Sequence, residues 1–477
     1  MLRKALWALL MVFVMGAFKP ASAQDTRGTI LGRVLDVSGA IVPGVKVLVT
    51  NTATGVTAAS VTNNSGEFNI PFLIAGTYQI TAQKPGFETY TRGNIQLRIS
   101  GSVSLTVHLV VGSITQQVTV NAGTPLLDTQ SATTGQVISQ QRLQELPLEG
   151  GDAFELVRLT PGVSNMTNFR ELGTGSPCGT SELSADGTPK YSEQWQLDGI
   201  DDSVNDVGKG YTRVAYIPPS GAIGEFKLQA TPYDASVGHV LGPVMSASTK
   251  SGTNQFHGTA YYWLINSALD ANDFFANASG QSKPVSRESR YGLTFGGPLT
   301  IPHVYNGRDK TFFFFAWEGD RDANPATTSG QISTVPTAAE RSGDFSALLN
   351  LGSEYQIYNP FTTVPVGNGR YERQPISNNV IPTALLNPVG LKLTSLYPLP
   401  NQPGTSDGED NFFYPDVRHV PDDSFMGRLD HVFSQNNRFF LRVNHYHFHI
   451  AKNQLGIPAT TFTQDQINQG AVIDDVW

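Results

Sequence analysis

The sequence predicts a mainly β protein, and three observations support that fold class. The 477 residues include 47 glycines, 29 prolines and 26 phenylalanines, a composition typical of short strands joined by turns. Apolar and polar residues alternate with a period of two along much of the chain, without helical heptads. After residue 23, no stretch approaches about 18 consecutive apolar residues. Any membrane insertion must therefore use strands that close into a barrel. The length favours two to four domains.

The first 23 residues have the pattern of a secretory signal peptide. Basic residues 3–4 precede an apolar run over 5–18, and the small residues 21–23 form a cleavage site before Gln24. The apolar run is shorter than the roughly 20 residues that a spanning helix needs. The mature chain is therefore expected to begin near Gln24, outside the cytoplasm.

Composition and motifs exclude several classes of function. The net charge is −8 with both signs interspersed, which argues against a nucleic-acid partner because phosphate binding needs a basic patch. The single cysteine, Cys178, cannot form an internal disulfide and is interpreted as incidental. No H-x-x-E, H-E-x-x-H or G-x-S-x-G motif occurs, so the sequence predicts no catalytic residue, no resident metal, no cofactor and no enzyme activity.

Residues 24–112 are predicted to form a β-sandwich of seven strands with Gly, Pro, Asn and Ser turns. The predicted strands are residues 29–36, 46–51, 56–62, 68–72, 76–84, 88–97 and 103–111. The motifs that sharpen this prediction are Gly32-Arg33-Val34, Gly39 to Val45, Asn64 to Phe68, Ala75 to Tyr78 and Pro85 to Phe87. As a set they resemble the carboxypeptidase regulatory-like, transthyretin-like domain. The resemblance implies no peptidase activity, and carbohydrate binding, protein docking and a passive periplasmic spacer all stay open.

Residues 113–122 form a candidate coupling segment between the sandwich and the next domain. The candidate partner-binding residues are Gln117, Val118, Thr119, Val120, Asn121 and Ala122. This run resembles the E-T-V-T-V-x-A TonB box of Oar-like receptors, which implies TonB, an energy-transducing protein, as partner. Such a segment would add as a strand to the edge of a partner sheet, with main-chain hydrogen bonds providing the affinity. The same alternation also suits a last strand of the sandwich, and both interpretations stay open.

Residues 123–253 are predicted to form an α+β plug domain. Helices are expected over residues 139–146 and 153–159, followed by the break Thr160-Pro161-Gly162-Val163. The strand 223–229 and the run 242–253 resemble the I-x-E-F-x-V-Q and G-G-V-V-N-V-V-T-K-S-G-T-N segments of the Oar-like plug. Two departures from that pattern are Met245-Ser246 and His239-Val240-Leu241.

Clustered aspartates in the plug suggest two interpretations. Asp198, Asp201, Asp202 and Asp206 offer oxygens that suit calcium. They lack the spacing of a calcium loop, and a solvated Asp-Gly turn explains them better. Residues Arg170, Tyr211 and Arg213 are candidates for ligand contact by location alone, and surface solvation is the preferred interpretation.

Residues 254–477 are predicted to begin an antiparallel outer-membrane β-barrel. Alternating aromatic strands are expected over 255–265, 289–297 and 311–319, with a hairpin over 426–433 and 438–450. Residues 322–424 are predicted to form one long extracellular loop. His445, His447 and His449 share one face of a strand, which we interpret as a polar row facing the pore rather than a chelate.

Together these features resemble an Oar-like TonB-dependent outer-membrane receptor. The resemblance implies uptake of an unidentified extracellular ligand driven by inner-membrane energy, with the barrel in contact with outer-membrane lipid and the sandwich in the periplasm. The alternative is a carbohydrate-binding, protein-binding or adhesion module without transport. A transporter barrel has about 22 strands, and five or six are counted here. The sequence is therefore expected to be a fragment or a truncated reading frame with an incomplete barrel.

Overall fold

A computed structural model describes residues 26–113, 117–120, 135–145, 153–165, 183–189, 192–206, 211–230, 240–278, 283, 285–325, 331–414, 417–418, 421–435, 437–453 and 460–476. The predicted signal peptide and Cys178 lie outside these ranges. None of the helices within them has the length and apolarity to cross a bilayer.

The amino-terminal unit is a β-sandwich. Its strands are β1 (Gly28–Asp36), β2 (Lys46–Asn51), β3 (Thr57–Val61), β4 (Glu67–Leu73), β5 (Gly76–Gln83), β6 (Thr89–Leu97), β7 (Ser102–Leu109) and β8 (Gln117–Val120). One sheet has the order β4-β1-β7 and the other β3-β2-β5-β6-β8. The alternation along the strands directs Ile30, Val47 and Ile80 into a common core. All seven predicted strands are present, with ends shifted by at most about two residues.

A glycine allows the closest approach within the first sheet. β1 and β7 run parallel, with Gly32 opposite Leu105. A Cβ atom at position 32 would lie 1.9 Å from the Leu105 carbonyl oxygen, a distance that no side chain tolerates. Gly32 therefore permits the parallel pairing that joins the first and last strands of this sheet.

In its described residues the plug contains nine strands and short helices, and five of these strands form its main sheet. Its strands are β9 (Gly135–Ile138), β10 (Val163–Asn165), β11 (Leu183–Ala185), β12 (Gln194–Leu197), β13 (Ile200–Asp201), β14 (Ser203–Asp206), β15 (Tyr211–Val214), β16 (Ile223–Gln229) and β17 (Val244–Thr249), with α1 (Gln140–Glu145) and 3₁₀ helices at Ala153–Leu159 and Ser220–Ala222. The order β13-β12-β17-β16-β9 places β17 at the centre. The Phe154 ring packs 5.1 Å from Trp195 and 5.8 Å from Phe226 in its core.

The carboxy-terminal unit is one antiparallel sheet of long strands. Its members are β18 (His257–Asn266), β19 (Arg287–Pro298), β22 (Thr311–Pro325), β28 (Asp422–Val432), β29 (Arg438–Asn453) and β30 (Thr461–Val476), in that order, and β20 (Thr300–Ile301) and β21 (Tyr305–Asn306) form a small hairpin between them. A 3₁₀ turn at Ser267–Leu269 and helix α2 (Phe274–Ala278) follow β18. Among the residues described, β18 and β30 lie at opposite ends of the sheet and do not pair. The sheet therefore curves around the plug without closing.

Alternation along β22 separates an inner face from an outer face. Phe312, Phe314 and Ala316 are buried, whereas Phe315 on the other face is exposed. The inner face meets the plug and the outer face presents aromatic side chains, as in outer-membrane barrels. The alternation predicted for residues 289–297 is likewise observed, with buried Thr294 and exposed Leu293 and Phe295.

The connection between β22 and β28 is structured. It contains β23 (Gln331–Ser333), β24 (Val364–Gly367), β25 (Arg370–Glu372), β26 (Phe412–Tyr414), β27 (Val417–Arg418), α3 (Ala338–Arg341), α4 (Ser346–Leu349), α5 (Pro388–Thr394) and several 3₁₀ turns. Fully buried Asn379 accepts hydrogen bonds from Ile357 N (2.8 Å) and Gln356 Nε2 (2.8 Å) and donates to the Tyr355 carbonyl (2.7 Å). The predicted loop 322–424 was slightly too long, because β22 continues to Pro325 and β28 already begins at Asp422.

Candidate functional site

The plug packs directly against the inner wall of the barrel sheet. Its hydrophobic core extends to Tyr446 and Phe448 of β29, both buried. A second cluster joins Ala222, after the Pro-Pro turn of the plug, to Phe314, Ala316 and Met426. The candidate functional site is therefore the interface between a plug and the wall that surrounds it.

A tight hairpin brings an aspartate to this interface. β12 and β13 pair with Leu197 opposite Ile200, which leaves Asp198 and Gly199 as a two-residue loop. Both loop residues have positive φ, 56° and 84°, the conformation that Asp-Gly favours in type I′ hairpins. The turn directs the Asp198 carboxylate toward β17 and the barrel wall.

Asp198 is the centre of a buried charge network between plug and barrel. Its Oδ1 accepts hydrogen bonds from Thr249 N (2.8 Å) and Arg428 Nη1 (3.1 Å), and its Oδ2 lies 3.0 Å from Arg442 Nε. The side chains of Asp198, Arg428 and Arg442 are only 4%, 5% and 4% exposed. Removing one member of a buried network leaves an uncompensated charge, which typically costs about 3–5 kcal/mol. The network therefore fixes the plug to two barrel strands.

Arg428 extends the network along β28 to Asp430. Its Nε and Nη2 donate to Asp430, with the Nη2 to Oδ1 distance at 2.8 Å, and its guanidinium lies 4.3 Å from the centre of the Phe440 ring. Asp430 Oδ2 also accepts from Ser251 Oγ at 2.7 Å. The last strand of the plug and the segment that leaves it are thus both held to the wall.

A second polar contact holds the Pro-Pro turn of the plug. Ser220 Oγ donates to Glu318 Oε2 (2.6 Å), which also accepts from Tyr261 OH. Arg290 bridges Glu318 (3.0 Å) and Asp320 (2.9 Å) on the same wall. The two contacts hold the plug at the same end of β16 and β17, where Ile223 pairs with Thr249, but to different strands of the wall.

The sandwich is seated on the other side of the plug. Glu225 of β16 accepts a hydrogen bond from the Ile99 amide and lies 3.3 Å from Arg98 Nη1, while Lys227 Nζ donates to the Ser100 carbonyl at 3.3 Å. Burial raises the pKa of the Glu225 carboxyl above its ordinary value, and the Ile99 amide and Arg98 oppose that shift only in part. The seat therefore depends on one buried carboxylate of the plug.

The sandwich also touches the barrel sheet at one end of its strands. Arg27 pairs with Asp474 at 2.7 Å, and Asn254 Nδ2 donates to the Thr54 carbonyl at 2.7 Å. The Arg438 guanidinium donates to the Phe72 carbonyl at 3.4 Å. These contacts lie at the end of the sheet opposite the long β22–β28 connection, so the sandwich and that connection occupy opposite sides of the barrel sheet.

The candidate coupling segment lies at the edge of the sandwich. β8 pairs in parallel with β6, with Thr89 opposite Gln117 and Arg92 opposite Val120. In the described residues no strand pairs with the other edge of β8. Asn121 and Ala122 lie outside the described ranges. Residues 117–120 of the segment thus form a sandwich strand, with one edge unpaired among the strands that the structure describes.

Comparison with known proteins matches two parts of this architecture to family models. Residues 248–477 match the family model of the outer membrane beta barrel domain, and residues 29–110 match the carboxypeptidase regulatory-like domain. The TonB-dependent transporter Oar of Myxococcus xanthus is 25% identical over 313 residues, which cover 64% of this chain and 28% of that protein. This chain is a homologue of the transporter Oar. It spans 28% of the length of that relative and lies in the outer membrane.

Two solved structures are also similar to this chain. The outer membrane transporter YddB of Escherichia coli is 13% identical with a TM-score of 0.44, and 72% of this chain and 36% of that chain are covered. The siderophore receptor PirA of Pseudomonas aeruginosa is 12% identical with a TM-score of 0.32, covering 73% of this chain and 44% of that chain.

The structure corrects two interpretations of sequence motifs. The solvated-turn interpretation was wrong for Asp198, because Arg428, Arg442 and Thr249 surround its carboxylate; it holds for exposed Asp201, whose Oδ1 accepts from Ser203 N. The pore-facing histidine row was also wrong. The inner face of β29 carries Phe440, Arg442, Tyr446 and Phe448, so the histidines point outward.

The remaining candidates are placed differently. On the outer face, His447 and His449 lie 3.4 and 2.9 Å from Asp465 of β30. The backbones of Asp206, Tyr211 and Arg213 form the β14–β15 hairpin, and Arg170 lies outside the described residues. Arg428, Arg442 and Glu225 were not singled out from the sequence. The sequence gives only one signal for these three residues. Each is a charged residue at a position that the alternation of its strand predicts to be buried.

Proposed function

We propose that this chain forms the plug-bearing part of a receptor that imports an extracellular ligand across the outer membrane with energy supplied by TonB. The observation that carries the proposal is the buried Asp198 network. It holds a separate plug domain against a barrel wall through non-covalent ion pairs, which can break without chemical change. A structure with this division needs an external force to move the plug. The similarity to Oar, named a TonB-dependent transporter, supports TonB as the source of that force.

The coupling segment would receive the force through its backbone. Among the described strands β8 is the last of its sheet, so its outer edge can accept a strand from another protein by β-augmentation. In this mechanism the partner does not displace β6. It adds to β8 while β8 stays on the sandwich, and pulling then moves the sandwich before it moves the plug.

Binding of the purified periplasmic domain of TonB to the full chain tests the proposal. Val118→Pro removes a backbone donor and disfavours strand pairing, so we expect at least tenfold weaker binding by calorimetry. Val118→Ala keeps the backbone and serves as the matched control, with binding within about twofold because main-chain hydrogen bonds dominate. Equal binding by wild type and Val118→Pro, or by a chain lacking residues 117–122, would refute the coupling role and favour a binding or adhesion module.

A disulfide staple tests whether β8 stays on the sandwich. Thr91 and Thr119 are directly opposite each other in the β6–β8 pair, so cysteines at both positions can be joined across it. The staple is made in a Cys178→Ser background, because Cys178 is the single native cysteine. Addition of a partner strand to the outer edge predicts unchanged TonB binding after oxidation. Loss of binding on oxidation and its return on reduction would instead show that β8 must leave β6.

A further inference from the structure

A cavity of about 590 Å³ lies where the three units meet. The sandwich contributes residues 51–54, 72 and 74–78, the plug contributes residues 248–253, and the inner barrel wall contributes residues of β22, β28 and β29. Its volume falls within the range of small-molecule sites, about 300–1,000 Å³. The cavity is separate from the plug core. It borders both the Asp198 network with the barrel wall and the Glu225 contact with the sandwich.

The carboxylates that line the cavity are already matched by arginines. Asp198 and Asp430 pair with Arg428. Asp474 pairs with Arg27, and Glu225 pairs with Arg98. Each of these negative charges therefore has a guanidinium within 3.3 Å. None of them is left to neutralise another cation at the cavity surface.

Two cations at the cavity surface have no carboxylate partner among the described residues. Within the described part of the chain, Lys250 makes no ion pair, and burial without a counter-charge lowers its pKa to about 8. Among the described residues, the Arg438 guanidinium donates hydrogen bonds only to the carbonyls of Phe72 (3.4 Å) and Gln435 (3.2 Å). Carbonyl dipoles do not cancel a full charge, so the cavity has an excess of positive charge that comes from the plug and from the barrel.

The rest of the lining suits a ligand with an apolar body. Phe72, Phe312, Phe314 and Phe440 contribute aromatic surface, and the polar lining includes the hydroxyl-bearing residues Thr77 and Ser248. His257 and His431 also line the cavity. Binding sites of this size commonly combine an apolar wall with a few polar groups that fix orientation.

We infer that this cavity binds a small amphiphilic anion, with a phosphate or carboxylate group held by Lys250 and Arg438 and an apolar body against the phenylalanines. An anion there would supply the counter-charge that both cations lack. The site does not require transport; its place as the last stop of an imported anion, on the sandwich side of the plug, rests on the proposed function. Failure of TonB coupling would therefore leave anion binding intact.

Calorimetric titration of the full chain tests the site with phenyl phosphate, benzoate and neutral benzyl alcohol as probes. We expect saturable one-site binding of at least one anion and at least tenfold weaker binding of benzyl alcohol. Lys250→Met combined with Arg438→Gln should weaken anion binding at least tenfold. The two anionic probes separate a phosphate site from a carboxylate site.

Three controls keep the test decisive. Lys250→Arg retains the charge and should bind within about threefold of wild type, which separates loss of charge from loss of folding. Lys392→Met removes an exposed cation of α5, far from the cavity, and should leave binding unchanged. Equal anion binding by wild type and the double variant, or no saturable binding of either anion to wild type, would overturn the inference.

Discussion

The plug is held by two seats that differ in kind. On the barrel side, Asp198, Arg428 and Arg442 form a network whose side chains are about one-twentieth exposed. On the sandwich side, Glu225 is buried but its partner Arg98 is 49% exposed to solvent. Exposed charges contribute little because water already solvates them, whereas buried partners are costly to separate. The comparison indicates that the sandwich can leave the plug more easily than the plug can leave the wall.

Removing Asp198 should produce the largest effect, because Arg442 would stay buried without its carboxylate and Arg428 would keep only Asp430. We expect Asp198→Ala to lower the free energy of opening of the plug by about 3–5 kcal/mol, measured by hydrogen exchange of the β12 and β17 amides. Asp201→Ala, three residues away on an exposed turn, should cost less than about 1 kcal/mol. Similar losses in both variants would contradict the assignment of the network as the main fastening.

Removing Glu225 should release the sandwich and spare the plug. In Glu225→Ala the buried Ile99 amide loses its acceptor, which costs about 1–3 kcal/mol. We expect faster hydrogen exchange at Ile99 with unchanged exchange in β17. Glu67→Ala, which removes an exposed carboxylate paired with Arg33 at 2.7 Å, is the matched control and should leave the Ile99 amide as protected as in wild type. Loss of protection in β17 would show that the two seats are not independent.

The smallest effect is a pH dependence of the sandwich seat. Burial raises the pKa of Glu225 in the docked state, despite Arg98 and Lys227 nearby, so the docked chain binds more protons than the released chain between the ordinary and the raised pKa. Docking should be strongest below the ordinary pKa and weaken as pH rises through the raised one.

The pH dependence can be measured as the hydrogen-exchange protection of the Ile99 amide, corrected for the intrinsic exchange rate at each pH. Protection in wild type should fall as pH rises through the raised pKa, whereas Glu225→Gln, which keeps an acceptor but does not ionise, should show a flat profile. If protection of the Ile99 amide instead grew with pH, the attraction of Arg98 would outweigh the effect of burial on Glu225. The pKa of Glu225 would then be lowered in the docked state, opposite to the expected direction.

Strands were predictable from the sequence because alternation is a local property. The seven sandwich strands and the aromatic barrel strands follow from side chains two residues apart, and Ala153–Leu159 forms a helix over the residues expected. Partners across domains are not local. Nothing near Asp198 in the sequence indicates Arg428, which lies 230 positions later in the chain. The solvated turn was therefore the reasonable interpretation and the wrong one.

The histidine row shows a related limit. Period-two spacing places His445, His447 and His449 on one face but does not say which face meets the plug. The larger apolar residues Tyr446 and Phe448 on the opposite phase decide it, because both belong to the hydrophobic core of the plug. For β8, the sequence left a coupling segment and a sandwich strand as alternatives, and the observed pairing is compatible with both.

The buried amide of Asn379 has a consequence on the far side of the molecule. Its hydrogen bonds to residues 355–357 cross-link two stretches of the β22–β28 connection, so this surface holds its shape before anything contacts it. A molecule that docks there meets a preorganised surface and avoids the entropy loss of ordering a coil, about 0.5–1.5 kcal/mol for each immobilised side chain. Recognition on that side would then be binding to a preformed surface and not folding coupled to binding.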